Sequence, residues 1–308
     1  MPYANEMEEN QYIPSFLVEL LNRQYGEETT KKILDGYKVK RKTTLRVNTI
    51  KTNANMVKKE LRKAEIDFKE VKWNENALIL NNADEKDIRS LSIYENGEIY
   101  MQSLSSMLPP IMLEPHEGEN ILDMAAAPGS KTTQIAAMTN NKCMITACEM
   151  NRARSERLKY NLEKQGVTCS YIMVTDSRRL NDFFSFDKIL LDAPCSGSGT
   201  LDAYNEATKK NFTTKLIQKS VEAQTALLKK ALKVLKSGGE MIYSTCSVLE
   251  SENEKVLENA LRGTRAQIVP INLDKTQFPL LDVKIPGTIC VCPNEYFEGF
   301  FIAKIKKM

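Results

Sequence analysis

Two cysteines occupy positions where reactive side chains collect. Cys195 lies in Leu191-Asp192-Ala193-Pro194-Cys195-Ser196-Gly197, and Cys246 lies in Ser244-Thr245-Cys246-Ser247. Each follows a short apolar run, over 188–191 and 240–243, that gives way to small polar residues. In an open α/β sheet the carboxyl ends of the strands are where ligands and chemistry gather. Two thiols placed there, facing a third strand-to-helix turn at Asp123-Met124-Ala125-Ala126-Ala127-Pro128-Gly129-Ser130-Lys131-Thr132, suggest a nucleophile and a helper. Taken singly, a free cysteine is most often a small buried hydrophobe, and Cys143, Cys148 and Cys169 fit that reading. Cys290 and Cys292 stand too close, with no histidine or second pair nearby, for a usual zinc site. The single histidine, His116, sits in a Glu-Pro-His-Glu-Gly loop away from the strand ends, which argues against serine-hydrolase and histidine-based dehydrogenase chemistry.

The upstream turn has the features of a cofactor loop. Small residues followed by Pro128-Gly129 and a helix starting at Ser130 let a ligand approach the backbone closely. A phosphate-cradling Walker loop needs glycine directly before the lysine, where Ser130 stands, and the dinucleotide fingerprint needs three spaced glycines where this loop has one. S-adenosylmethionine carries no pyrophosphate, so alanines and one glycine suffice for it. Glu149 closes the next strand 20 residues after Gly129, where an acid can hold ribose hydroxyls. Asp176 closes the third strand, within reach of an adenine amino group. Either acid alone reads equally well as a helix-capping residue; acids at three successive strand ends are harder to attribute to capping.

These side chains need a frame. At 308 residues the chain is long for one domain and comfortable for two. Residues 12–35 read as two short helices broken at Gly26, followed by strand, helix, two strands, helix and strand up to residue 101. That order predicts a small ferredoxin-like α+β domain within 1–101. From 102 to 308, apolar strands over 120–124, 144–148, 171–174, 188–191 and 240–243 alternate with helices over 130–138, 151–165 and 215–236, ending in a strand over 298–305. Near-continuous apolar strands joined by helices predict a parallel sheet covered on both faces. Trp73 and Tyr100 are expected to pack rather than stack bases.

Composition bounds the rest. No apolar run approaches the roughly 18 residues of a membrane span, and the polar, acidic start at Met1 to Asn10 is unlike a secretory signal. Seven cysteines, an odd number, suit a reducing cytoplasm better than a disulfide framework. Net charge is only +3, yet residues 29–72 hold 14 Lys and Arg against 5 Asp and Glu. Lys38, Lys40, Arg41, Lys42, Arg46, Lys51, Lys58, Lys59, Arg62 and Lys63 supply most of that excess. Such a patch attracts a phosphate backbone, although alone it would read as a solvated face.

From about residue 12 to 306 the chain resembles the Sun-type RNA cytosine-5 methyltransferases, nearest the branch that modifies small-subunit ribosomal RNA. Asp123 to Thr132, Asp192-Ala-Pro-Cys-Ser-Gly-Ser-Gly199, and Tyr243-Ser-Thr-Cys-Ser247 with Glu252-Asn253-Glu254 carry the resemblance. Leu45 to Thr49, Gln102 to Ser106 and Gly299-Phe300-Phe301 support it. It implies a Rossmann-like class I methyltransferase sheet, S-adenosylmethionine as cofactor, and a monomer acting on RNA without a metal or a membrane. Carried over residue by residue, Ala125, Ala126, Ala127, Pro128, Gly129, Ser130, Lys131, Glu149, Arg154, Asp176 and Asp192 fall on cofactor-binding positions. Cys246 falls on the nucleophile and Cys195 on the release cysteine, with Asp192 and Lys131 at the base and Lys131 the cation expected to favour a thiolate. The chain ends at Met308, short of the additional C-terminal domains of that ribosomal-RNA branch, which leaves ribosomal and transfer RNA both open as substrate. Amino-directed methyltransferases would show a Pro-Pro-aromatic run after the fourth strand, and DNA cytosine enzymes a Pro-Cys-Gln run, where this chain has Ala193-Pro194-Cys195. The reading from another class is an RNA-binding ribosome-assembly factor that kept the fold without catalysis.

Overall fold

A computed structural model describes residues 12–308; the acidic segment Met1 to Asn10 lies outside the described residues. The chain opens with helix α1 (Ser15–Lys38), bent at Gly26, whose φ of 76° and ψ of 168° break the helical path where the sequence places the break. Leu17, Leu21, Ile33 and Tyr37 on α1 are buried in the same core as the large sheet described below.

Residues 44–101 form β1 (Thr44–Val47), α2 (Ala54–Lys63), β2 (Phe68–Val71), β3 (Asn74–Leu80), α3 (Glu85–Arg89), α4 (Ser92–Glu95) and β4 (Ile99–Met101). The strands make an antiparallel sheet in the order β2-β3-β1-β4, the ferredoxin-like arrangement. Asn53 starts α2 by accepting a hydrogen bond from the Met56 N–H. Side chains alternate across β3: Leu78 and Leu80 join Val57 and Leu61 under the helices, whereas Ala77 and Ile79 face the other way. That second face packs against Leu104, Met107 and Ile121 of the large unit, so β3 is apolar on both sides.

Helix α5 (Leu104–Leu113) leads into the large sheet. Pro109 and Pro110 conceal this helix in the sequence, because each removes a backbone donor at a cost of roughly 3 kcal/mol. Burying Leu104, Met107, Leu108 and Leu113, at about 1.5–3 kcal/mol each, offsets it. Then come β5 (Asn120–Asp123), α6 (Ser130–Met138), β6 (Met144–Cys148), α7 (Arg152–Gln165), β7 (Ser170–Met173), β8 (Phe186–Asp192), α8 (Glu206–Asn211), α9 (Thr214–Val234), β9 (Leu235–Thr245) and α10 (Glu254–Leu261). The chain closes with β10 (Ala266–Val269), β11 (Leu280–Leu281), β12 (Ile289–Val291) and β13 (Phe300–Lys307).

Strands β9-β8-β5-β6-β7 are parallel, as expected from their apolar runs. The sheet is nevertheless mixed. β13 runs antiparallel to β9 and carries β12, β11 and β10 beyond it. Short strands such as Ile289–Val291, next to Gly287 and Pro293, read as loop in sequence because only the neighbouring strand completes them. The order places the topological switch between β5 and β8, so the turns after β5, β8 and β9 leave adjacent strand ends about 5 Å apart.

The two sheets are joined by a buried polar relay. Arg46 of β1, 3% exposed, donates from Nε to Gln102 Oε1 (2.8 Å) and from Nη2 to Thr133 Oγ1 (2.9 Å) on α6. Gln102 donates in turn to Gln134 Oε1 (2.9 Å). Burial lowers the Arg46 guanidinium to about 10. Arg46 is therefore withdrawn from the basic face to which the sequence assigned it. Among the described residues, no helix is long and apolar enough to cross a membrane.

Candidate active site

The turn after β5 is shaped by three residue types. Asp123, buried at the strand end, accepts from Thr132 Oγ1 (2.7 Å) and from the Ala125 N–H, which closes the turn upon itself. Gly129 takes φ of 110°, a left-handed value, and a Cβ there would meet Leu158 Cδ1 at 3.0 Å. The Ala127–Pro128 peptide is cis. Arg154 and Asn161 of α7 hold the outer rim: Arg154 Nη2 donates to Ala127 O (2.9 Å) and Asn161 Nδ2 to Pro128 O (2.7 Å). No side chain caps α6, so its first N–H groups face the turn.

Glu149 is buried at the end of β6, accepts from the Asn151 N–H (2.8 Å) and lies 3.6 Å from Arg154 Nη1. The sequence-predicted pair Glu149 and Arg154 thus meets at the rim of the turn. Asp176 caps the 3₁₀ turn after β7, and Arg178 forks onto its carboxylate at 2.9 and 2.7 Å. That hydrogen bond, working against partial burial, holds the Asp176 carboxyl below the usual range.

Lys131 does not point into the turn. Its ammonium pairs with Asp192 Oδ2 (2.7 Å), donates to Ser106 Oγ (2.7 Å) and sits 5.8 Å over the Phe300 ring. Burial favours the neutral amine, but the Asp192 charge and hydrogen bond outweigh it and raise the Lys131 pKa. Asp192 also accepts from Ser244 Oγ (2.8 Å), one strand across.

Beyond this pair lie the two thiols. Cys195 Sγ and Cys246 Sγ are 2.9 Å apart, and neither is in a disulfide. The hydrogen bond to Cys246, burial and the nearby Cys246 and Glu252 charges push the Cys195 thiol well above its usual range. The strand ends thus bring Lys131, Asp192, Cys195 and Cys246 together, with Glu149, Arg154 and Asp176 along the neighbouring rim.

Sequence reasoning gave no role to Ser106, Ser244 or Phe300, which touch Lys131 and Asp192. Nor did it give one to Glu252, although Glu252-Asn253-Glu254 carries part of the resemblance. Glu252 is fully buried. The basic segment also divides. Lys58 pairs with Glu70 (2.7 Å), Lys63 with Glu60 (2.7 Å), and Arg62 lies over Phe68, so two of the four cations of α2 are paired with carboxylates. Residues 37–42, in contrast, adjoin the Cys195 loop: Tyr37 Oη donates to Ser198 O, the Ala203 N–H to Tyr37 O (2.9 Å) and Arg41 Nη2 to Thr200 O (3.1 Å). Trp73 packs against Phe278 and Phe297 at ring-centroid distances of 5.4 and 6.4 Å. His116 is exposed at the opposite, amino edge of the sheet, lining a polar hollow of about 450 Å³ with Lys188 and Glu240. Among the described residues, no group of three or more His, Cys, Asp or Glu is placed to hold a metal ion.

Burial raises the Asp123 carboxyl to about 6, opposed by the Thr132 hydrogen bond and by Lys131, and reinforced by the Asp192 charge. Its folded value exceeds its unfolded one, so the neutral form favours folding and that contribution fades as pH rises from about 4 through 6. Relative to wild type, Asp123→Asn is expected to gain about 3 kcal/mol between pH 4 and pH 7. Urea unfolding of both proteins at the two pH values measures this; a constant gap would show that Asp123 titrates normally.

Comparison with known proteins agrees with the geometry. A family described as 16S rRNA methyltransferase RsmB/F matches residues 110–306, and an RsmF/B-like ferredoxin-like domain matches residues 13–86. The chain is 36% identical to a ribosomal RNA small subunit methyltransferase F of Shewanella piezotolerans, over 86% of this chain and 57% of that protein. It is 34% identical to a tRNA (cytosine(49)-C(5))-methyltransferase of Pyrococcus abyssi, over 86% of this chain and 88% of that one. The crystal structure of a methyltransferase homologue from Pyrococcus horikoshii superimposes with a TM-score of 0.80 at 32% identity, covering 96% of this chain and all of its own. The chain spans little more than half the length of the Shewanella relative. The family model covers more than half of the chain, and the chain therefore belongs to the family described as 16S rRNA methyltransferase RsmB/F.

Proposed function

We propose that this protein transfers a methyl group from S-adenosylmethionine to carbon 5 of a cytosine in structured RNA, with Cys246 as covalent nucleophile and Cys195 assisting release. The observation that carries the reading is the 2.9 Å approach of the two sulfurs beside the Lys131–Asp192 pair, at adjacent strand ends.

The residues present fit the cofactor. Lys131 is committed to Asp192, and Arg154 to Ala127 O and Glu149, so among the described residues the turn has no cation free for a phosphate. Its neighbours are instead the carboxylates of Asp123, Glu149, Asp176 and Asp192, which suit a positively charged ligand. Residues 125–131 would lie along it, Glu149 and Arg154 at the ribose and Asp176 at the adenine. When bound, S-adenosylmethionine supplies an electrophilic methyl group.

Cytosine C5 is too electron-poor to take that methyl group unaided. The Cys246 thiolate adds to C6, forming an S–C bond, and the displaced electron pair moves toward N3 and the exocyclic groups. Lys131 stabilises the charge that develops there, and Asp192 holds its ammonium in place. With C6 saturated, C5 is an enamine carbon able to take the methyl group. The C5 proton then leaves to a water held beside Cys195. The C–H pair restores the ring double bond, and the C6–S pair returns to Cys246.

The basic residues Lys40, Arg41 and Lys42, which adjoin the Cys195 loop, serve as a phosphate track, and the small domain presents them with the RNA. A target base in a helix must be turned out to reach the sulfurs. Ribosomal RNA is the favoured substrate, in the cytoplasm. Transfer RNA is the second reading, because the Pyrococcus abyssi relative matches along nearly its whole length. Bisulfite sequencing of total RNA from cells with and without this protein tests both: one cytosine is expected to lose its protection, and its molecule names the substrate. Unchanged protection everywhere would overturn the reading in favour of a non-catalytic RNA-binding factor.

A further inference from the structure

Glu252 is a carboxylate with no exposed surface, and among the described residues no cation pairs with it. Hydrogen bonds alone hold it. Its Oε1 accepts from the Ser196 N–H (2.7 Å) and Gln224 Nε2 (3.3 Å); its Oε2 accepts from Ser196 Oγ (2.5 Å) and Ser247 Oγ (2.6 Å). Ser196 follows Cys195 in the chain and Ser247 follows Cys246. One side chain therefore grips both cysteine loops at the same relative position.

Other contacts reinforce the grip. Gln224 of α9 also donates to Pro194 O (3.0 Å), just before Cys195. Ser198 and Ser247 hydroxyls meet at 2.7 Å, and the Gly199 N–H donates to Cys246 O (2.9 Å). Tyr243 Oη donates to the Glu252 carbonyl (2.6 Å), which fixes the backbone that carries the carboxylate. An unpaired buried charge costs several kcal/mol, whereas a glutamine of the same shape would cost far less. Only a carboxylate, however, accepts from four donors at once and so turns both serine hydroxyls inward. A glutamine oxygen facing the Ser196 N–H and Gln224 would leave its NH2 toward the two hydroxyls and turn both of them around to accept.

We propose that Glu252 is a positioning residue for the release step, setting the distance between Cys195 and Cys246 by binding the residue that follows each of them. The inference rests on the covalent reading above. Adduct formation needs Cys246 and the base pocket; elimination also needs Cys195 beside the C6–S bond. Loosening the clamp should therefore slow release more than formation.

The test uses RNA carrying the target cytosine, single turnover, and denaturing gels that resolve the protein–RNA adduct. Glu252→Gln is expected to slow adduct release roughly tenfold or more while changing formation less than about threefold, the scale of losing a charge-assisted hydrogen bond. In a Cys195→Ala background, Glu252→Gln is expected to add little further loss of release, because both changes remove the same assistance. A merely structural role would give equal losses in formation and release, or additive losses in the double variant, and either result overturns the inference. Thermal unfolding shows whether Glu252→Gln folds; if it does not, Ser196→Ala and Ser247→Ala each remove one arm of the clamp and are held to the same criterion. Adduct in Cys195→Ala but not in Glu252→Gln would overturn the clamp alone. Absence of adduct in Cys195→Ala itself would overturn the covalent reading.

Discussion

Cys246→Ala is expected to lower methyl transfer to RNA by at least about 10⁴-fold, the scale seen when a covalent nucleophile is removed. No adduct should appear on a denaturing gel. Cys195→Ala is expected to do the opposite at one step: turnover falls, but a stable protein–RNA adduct accumulates. The sulfurs are nearly in contact, so position alone does not assign their roles. The Cys195 thiol is held above its usual range by its hydrogen bond to Cys246, by burial and by nearby charge, which disfavours it as the attacking thiolate. Labelled methyl donor and gel analysis of both variants measure this directly. If the adduct formed in Cys246→Ala and not in Cys195→Ala, the two roles would be exchanged.

Much of this frame is legible in the sequence because parallel strands buried on both faces leave long apolar runs, and their ends leave small polar ones. Thus β5, β6, β8 and the cysteine turns can be read from pattern alone, as can Gly26 breaking α1 and Asn53 starting α2. The final strand β13 is read as well, from its apolar run over 298–305, but the edge strands β10 to β12 cannot be, because two- and three-residue strands such as Leu280–Leu281 exist only through their partners. Helix α5 is hidden by Pro109 and Pro110, whose local penalty is overridden by tertiary burial. Charge counting sees Arg46, Lys40 and Arg41 as equivalent. Folding separates them, burying Arg46 between the sheets, setting Arg41 against the Cys195 loop and leaving Lys40 exposed. Glu252 shows the same limit from the other side: Glu252-Asn253-Glu254 supports the resemblance without suggesting a role, and only the fold reveals that its first carboxylate is fully buried.

Lys131→Met is expected to lower methyl transfer by roughly 10²–10³-fold, the range for losing one preorganised donor at a developing charge. It is also expected to destabilise the fold. Lys131 is held by Asp192 and Ser106 and packs on Phe300; methionine keeps much of the packing but leaves Asp192 supported by Ser244 alone. Removing one partner of a buried ion pair costs about 3–5 kcal/mol. Asp192 keeps about a quarter of its side chain exposed, so water recovers part of that and a loss of about 2 kcal/mol is expected. The two effects separate in the double variant Lys131→Met/Asp192→Asn. Without the stranded carboxylate, stability should return to within about 1 kcal/mol of wild type while activity stays low, because the base pocket then lacks both charges. The sign of the pH effect follows as well. Lys131 lowers the Asp123 carboxyl and Asp192 raises it, so Lys131→Met should carry Asp123 above its present value of about 6 and extend its loss of stability to higher pH. Urea unfolding from pH 5 to 8 reads that displacement. If Lys131→Met unfolds with the wild-type pH dependence, the ammonium is not electrostatically coupled to the two carboxylates and its part in holding the base pocket fails with it.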